Sequence, residues 1–192
     1  MNKKLLSIVL SIYILIPLLI LFIDKLYDYK FYFLTIIGLL MLIFIKLLKL
    51  PIKEFGITKK NFKKSIVRNI PLILLGVIAI IVLKILGINR YNPTETIWFY
   101  LFYILISCPI QEFLYRGVFG YFDKDNKYIW VIISSFCYSF VHIIYKDPAT
   151  CLITFVMGIM WYLLYREDKN LSGVCLSHIV LGVLTIFLGI IN

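Results

Sequence analysis

Seven stretches of this chain are long and apolar enough to cross a bilayer, and that sets the fold class before any motif is considered. About 20 apolar residues in a helix span the hydrocarbon core, and a helix satisfies its own backbone hydrogen bonds there. The stretches are 5–23, 31–48, 66–88, 97–122, 128–145, 149–165 and 171–191. The second has the shortest apolar part, because Lys46 and Lys49 fall at its end. With 62% hydrophobic and 16% charged residues in 192, a single soluble core has nowhere to hide the apolar surface. The fold expected is all-α, a polytopic membrane bundle of about seven helices. No internal repeat and no low-complexity linker divides it, so residues 1–192 read as one integral membrane domain.

The start, "MNKKLLSIVLSIYILIPLLILFID", opens like a secretory signal. Its apolar run, Leu5 to Ile23, exceeds the roughly 7–15 residues of a signal core, and no small-residue cleavage site follows. A retained first span is expected.

The net charge of +10 fits lysines flanking membrane spans better than a nucleic-acid surface. With the N-terminus in the cytoplasm, fourteen basic residues fall inside: Lys3, Lys4, Lys46, Lys49, Lys53, Lys59, Lys60, Lys63, Lys64, Arg68, Lys124, Lys127, Arg166 and Lys169. Only Lys25, Lys30, Lys84, Arg90 and Lys146 fall outside, a split that agrees with the positive-inside rule. The segment "KLPIKEFGITKKNFKK" then lies at anionic headgroups, so membrane lipids are expected partners. Cys108, Cys137, Cys151 and Cys175 show no CxxC spacing, and neither a disulfide framework nor a zinc site is read from them. No metal and no cofactor is expected, and the oligomeric state is not legible.

Ionisable groups inside spans are costly and mark function. The fourth span carries Glu112 and Arg116, the fifth His142 and the seventh His178. At about 1.5 Å per residue, Glu112 lies roughly 15 Å from Phe122, His178 about 10 Å from Leu171, and His142 about 21 Å from Tyr128. Tilt accounts for that spread, so the three can share one layer. Glu112 and Arg116 at i, i+4 share a helix face and can form a purely structural ion pair. Each histidine alone can be a hydrogen bond between helices. Together they suit hydrolysis: a carboxylate or imidazole takes a proton from water, and imidazoles orient the water, stabilise an oxyanion or protonate a leaving amine. Two histidines and a carboxylate also suit zinc, but the HExxH helix of soluble zinc proteases is absent.

These residues resemble a known set of motifs. "QEFLYRG" is similar to the EExxxR motif of the CAAX-protease and bacteriocin-processing (CPBP, or Abi) family of intramembrane proteases. "YSFVH", Tyr138 to His142, resembles that family's FxxxH motif, and "HIVLG", His178 to Gly182, its HxxxN/D motif. The resemblance covers about half the chain and implies a catalytic core at 97–190, with 1–96 supplying N-terminal helices and the basic loop. It implies an α-helical endopeptidase with its polar site in the bilayer and open towards the cytoplasm. By position, Gln111 stands at the family's water-activating glutamate, Glu112 and Arg116 at its ion pair, His142 at the water-orienting imidazole and His178 at the oxyanion donor.

Three positions depart from the pattern. Gln111 cannot accept a proton, Gly182 replaces the Asn/Asp, and Tyr138 adds a hydroxyl to the motif-two phenylalanine. Glu112 either faces the site and acts as base, with Gln111 orienting water, or is locked to Arg116, which leaves His142 as base. The expected activity is hydrolysis of a small membrane-associated or bacteriocin-like peptide, in a bacterial plasma membrane. The alternative is an impaired homologue that binds its peptide and confers bacteriocin immunity. A transporter is the third class, and the absence of a repeat or paired broken helices argues against it.

Overall fold

The computed structural model describes residues 3–125 and 127–191. Met1, Asn2, Asn126 and Asn192 lie outside the described residues, as do the side chains of Lys3 and Lys4, so those two lysines of the charge count are not placed. Among the described residues seven main helices follow one another up and down: α1 (Lys3–Phe22), α2 (Lys30–Leu47), α3 (Phe62–Ile85), α4 (Ile97–Phe122), α5 (Tyr128–Val141), α6 (Pro148–Asp168) and α7 (Ser172–Phe187). Short 3-10 turns precede α2 at Asp24–Tyr29 and extend α5 at His142–Tyr145. No strand occurs among the described residues. With the 3-10 turns counted into α2 and α5 (Asp24–Leu47 and Tyr128–Tyr145), six of these segments are long and apolar enough to cross a membrane, and α7 is a shorter apolar helix.

The boundaries differ from the expected ones for local reasons. α3 begins at Phe62, four residues before the apolar run, and its first turns carry Lys63, Lys64 and Arg68 at the membrane edge. α6 starts at Pro148 because Asp147 caps it, its carboxylate accepting the backbone N–H groups of Ala149 at 3.2 Å and Thr150 at 3.1 Å.

α4 is one span but not one regular helix. Pro109 has no N–H to give, and its ring crowds the carbonyl four residues earlier. The backbone widens there into a π turn over Tyr103–Ser107, where the Cys108 N–H reaches back five residues to the Tyr103 carbonyl. A second π turn covers Phe113–Val118, so the α segment Cys108–Glu112 sits between two widened turns. Such π bulges are frequent at functional sites. Gly117, in the second turn, leaves room for the backbone of the Ile52–Phe55 turn, since a Cβ there would run into the Phe55 carbonyl oxygen.

α5 packs along α6 and α3 along α7. At the basic end the α6–α7 turn is tied to α3 and the segment before it. Ser65 donates to the Asn170 carbonyl at 3.1 Å and accepts the Gly173 N–H at 3.0 Å, and Arg68 pairs with Asp168 at 2.8 Å. At the other end the Arg90 and Tyr91 N–H groups both bond to the Gly189 carbonyl, and Arg90 pairs with Asp147 at 2.5 Å.

Candidate functional site

Glu112 and Arg116 lie on α4 with no solvent exposure. Glu112 Oε2 approaches Arg116 Nε to 3.2 Å. The contact is an attraction between charges rather than a directed hydrogen bond, for neither atom, nor Arg116 Nη1 or Nη2, has an aligned partner among the described residues. The guanidinium instead lies over the ring of Tyr138, 4.3 Å from its centroid, with Trp161 at 5.2 Å.

The other carboxylate oxygen of Glu112 accepts from His178 Nδ1 at 2.6 Å. His178 stacks on the Trp161 indole, 4.5 Å between centroids at 23°, and the indole N–H is held by Ser177 Oγ at 2.9 Å. With Nδ1–H given to Glu112, Nε2 is left for the Tyr138 hydroxyl, 3.2 Å away. Both ring nitrogens of His178 are therefore occupied by protein groups.

His142 begins the 3-10 turn that ends α5, where helix carbonyls are left over. Its Nδ1 lies 2.8 Å from the Tyr138 carbonyl oxygen. A carbonyl only accepts, so Nδ1 carries the hydrogen and Nε2 keeps a lone pair. Nε2 has no hydrogen-bond partner among the described residues. It belongs to a residue that lines a cavity of about 50 Å³ together with Gln111, Tyr115, Tyr145 and Lys30. Gln111 donates from Nε2 to Ser107 Oγ at 2.9 Å, while its Oε1 is buried without a partner among the described residues. A cavity of that size has room for one water molecule. The larger recesses, about 390 Å³ between α1 and α2 and about 620 Å³ beside Lys59–Lys64, contain none of these residues.

The five residues picked out in the sequence thus fall into two adjoining groups. Glu112, Arg116 and His178 form one, and Gln111 and His142 form the other. Tyr138 joins them, giving its hydroxyl to His178 and its carbonyl to His142, with its ring 4.9 Å from the His142 centroid. The exchange of phenylalanine for tyrosine, which the sequence presents as mild, supplies the hydroxyl half of that link, the carbonyl half being backbone.

Gly182, one turn after His178, lies against Tyr103. A Cβ built at Gly182 would overlap the Tyr103 hydroxyl, so a larger side chain is excluded by a residue from the first π turn of α4. Tyr103 packs edge-on to His178 at 6.0 Å, and the Cys108 thiol lies beside both. Sequence reasoning missed Tyr103, Tyr145 and Lys30. Lys30 sits at the start of α2 and reads as one more charge flanking a span. Among the described residues, no group of three or more His, Cys, Asp or Glu comes together as a metal-binding set.

The cavity lies among the first residues of α2 and the last of α5, the end of the bundle formed by segments 23–29 and 142–147. The basic segment 48–61 is at the opposite end. A cytoplasmic N-terminus and a cavity towards the cytoplasm, both expected above, are therefore not compatible.

Residues 93–184 match the family model described as type II CAAX prenyl endopeptidase Rce1-like. Neither a search of curated proteins nor one of solved structures returned a match.

Proposed function

Through its Rce1-like region this chain belongs to the CAAX-protease (CPBP) family, and from that premise we propose that it is an intramembrane endopeptidase that cleaves a membrane-associated peptide with an imidazole-activated water. The observation that carries the reading is the pairing of a lone-pair nitrogen with an unpartnered amide oxygen at one small cavity, His142 and Gln111. Water held there accepts from neither group and donates to both. His142 Nε2 takes one proton as the oxygen adds to the scissile carbonyl. The resulting imidazolium returns a proton to the leaving amine, so that two product termini form and the histidine is regenerated. Gln111 Oε1 holds the second hydrogen and aims the attacking oxygen. Glu112 is engaged by His178 and Arg116 and serves to fix them rather than to take a proton.

The substrate proposed is a small peptide or protein tail anchored in the bilayer, with a prenylated C-terminal tail as the first class to test. The proposed location is a bacterial plasma membrane. Its basic end faces the cytoplasm by the positive-inside rule, which sets the cavity towards the other leaflet. The test uses the purified full chain in proteoliposomes with quenched fluorescent peptides, lipidated and unlipidated. Cleavage that His142→Ala abolishes supports the reading. Cleavage that persists unchanged in that variant refutes it.

A second reading is favoured by one observation: the one carboxylate among the five candidates is locked in an ion pair, and the neighbouring position is an amide. In that reading the chain binds its peptide without cutting it, as a bacteriocin immunity protein does. Protection of cells that survives His142→Ala combined with His178→Ala supports it over the first.

A further inference from the structure

The cavity that holds Gln111 and His142 has a wall from outside the matched region, and that wall carries a positive charge. Lys30, the first residue of α2, lines the cavity with Tyr145, the last residue of the 3-10 turn that His142 begins. The turn Asp24–Tyr29 brings the chain round so that the Lys30 ammonium lies over the Tyr27 ring, 3.5 Å from its centroid, with Tyr145 at 5.4 Å and Phe31 at 5.5 Å. Asp28 and Glu95 are near enough to feel that charge. Among the described residues, however, no carboxylate comes within 4.0 Å of it. The nearby Lys146 takes Asp24 at 3.1 Å, so the segment pairs one lysine and leaves the other against aromatic faces. Aromatic faces offset only part of the cost of holding an ammonium at the membrane. An anion inside the cavity would complete its surroundings.

We propose that Lys30, with the Tyr145 hydroxyl, is the anion-binding pole of the site, receiving the oxygen that becomes negative when water adds to the scissile carbonyl. This rests on the peptidase reading given above. His178, the oxyanion donor implied by the motif resemblance, has both nitrogens committed to Glu112 and Tyr138 and offers no free donor. Lys30 and Tyr145 line the same small cavity as the water-activating pair, which is the placement that oxyanion stabilisation needs. The N-terminal helices then contribute chemistry as well as anchorage.

The experiment compares Lys30→Met, Lys30→Arg and Tyr145→Phe with the unsubstituted chain in proteoliposomes. The probes are quenched peptides with free and with amidated C-termini. Removing an oxyanion donor costs about 10²–10³-fold in kcat. The expected result is that loss for Lys30→Met with KM little changed, the same for both kinds of peptide, with partial recovery in Lys30→Arg and a smaller kcat loss in Tyr145→Phe. Lys30→Gln, which keeps part of the stem, is read in place of the methionine variant if the latter is not recovered monodisperse. An unchanged kcat overturns the proposal. So does a rise in KM confined to peptides with a free carboxylate, which would make Lys30 a reader of the substrate terminus. His142→Ala is measured in parallel. If it leaves cleavage intact, the peptidase reading fails; if it abolishes cleavage while Lys30→Met does not reduce kcat, only this proposal fails.

Discussion

His178 Nδ1 donates to Glu112 Oε1 across 2.6 Å, a bond between two buried side chains that joins the fourth membrane helix to the seventh. Arg116 approaches the other carboxylate oxygen, so both oxygens of Glu112 face protein groups. Adjacent helix residues point about 100° apart, and Gln111 accordingly lines the cavity while Glu112 turns away from it. The neighbours divide the work, one holding helices together and one meeting water.

That division predicts unequal effects of changing Glu112. Glu112→Ala leaves Arg116 buried without its counter-charge, a change that typically costs about 3–5 kcal/mol. Glu112→Gln keeps an acceptor for His178 Nδ1–H and should cost less. Thermal unfolding in detergent should rank the two variants in that order. Equal losses would show that the hydrogen bond to His178 contributes little.

At Gln111 the expected direction is a gain. A glutamate at that position can take a proton from water in the same cavity, and one well-placed general base is worth about 10²–10⁴-fold in rate. Gln111→Glu should therefore raise kcat on the quenched peptides, or create activity where the native chain only binds. A fall in kcat would show that the Nε2–H bond to Ser107, which a carboxylate cannot make, is needed to hold the side-chain oxygen on the water.

Much of the fold is legible because a membrane span must satisfy its own backbone. The apolar run at 31–48 becomes a helix at Lys30–Leu47, and that at 97–122 a span with the same ends. The i, i+4 spacing of Glu112 and Arg116 likewise becomes a contact. Which helices touch is harder to read, since lipid-facing and helix-facing surfaces are both apolar and packing depends on local shape. Nothing along the chain brings Lys30 to Gln111, because that juxtaposition comes from α2 packing on α4. Pro109 warns of a disturbed helix, yet the resulting π turn and the place it sets for Tyr103 appear only in three dimensions.

The fit of Tyr103 over Gly182 predicts that restoring a larger side chain there is harmful. Gly182→Asn forces the new Cβ onto the tyrosine hydroxyl, and overpacking of this kind costs about 1–3 kcal/mol. In Gly182→Asn combined with Tyr103→Ala, the total loss of stability should be smaller than the sum of the two single losses. A double-mutant cycle on apparent Tm reads the coupling, and strict additivity would mean that the two residues do not compete for space.

Orientation is open to a labelling measurement. Lys25 and Lys53 are both exposed and lie at opposite ends of the bundle. With the basic end in the cytoplasm, a membrane-impermeant maleimide added to intact cells should label Lys25→Cys and not Lys53→Cys, above the background of the unsubstituted chain. The reverse pattern would invert the bundle and turn the cavity towards the cytoplasm.

The cap of α6 predicts how stability responds to acid. Burial pulls the Asp147 carboxyl upward, but Arg90, Thr150 and Tyr91 outweigh it with hydrogen bonds and hold the group below the ordinary carboxylate range. A lowered value in the folded chain means that folding favours the charged form. Its contribution is complete above the unfolded value of about 3.9 and declines as pH falls further towards the folded one. Asp147→Ala removes the cap and the Arg90 ion pair, and loss of a cap alone costs about 0.5–2 kcal/mol. The apparent Tm of the variant should lie below that of the native chain from pH 7 down to about 4, and the gap should narrow below that. A gap that stayed constant down to pH 3 would mean that the carboxyl titrates alike in the folded and the unfolded chain, so that neither Arg90 nor the cap favours its charged form.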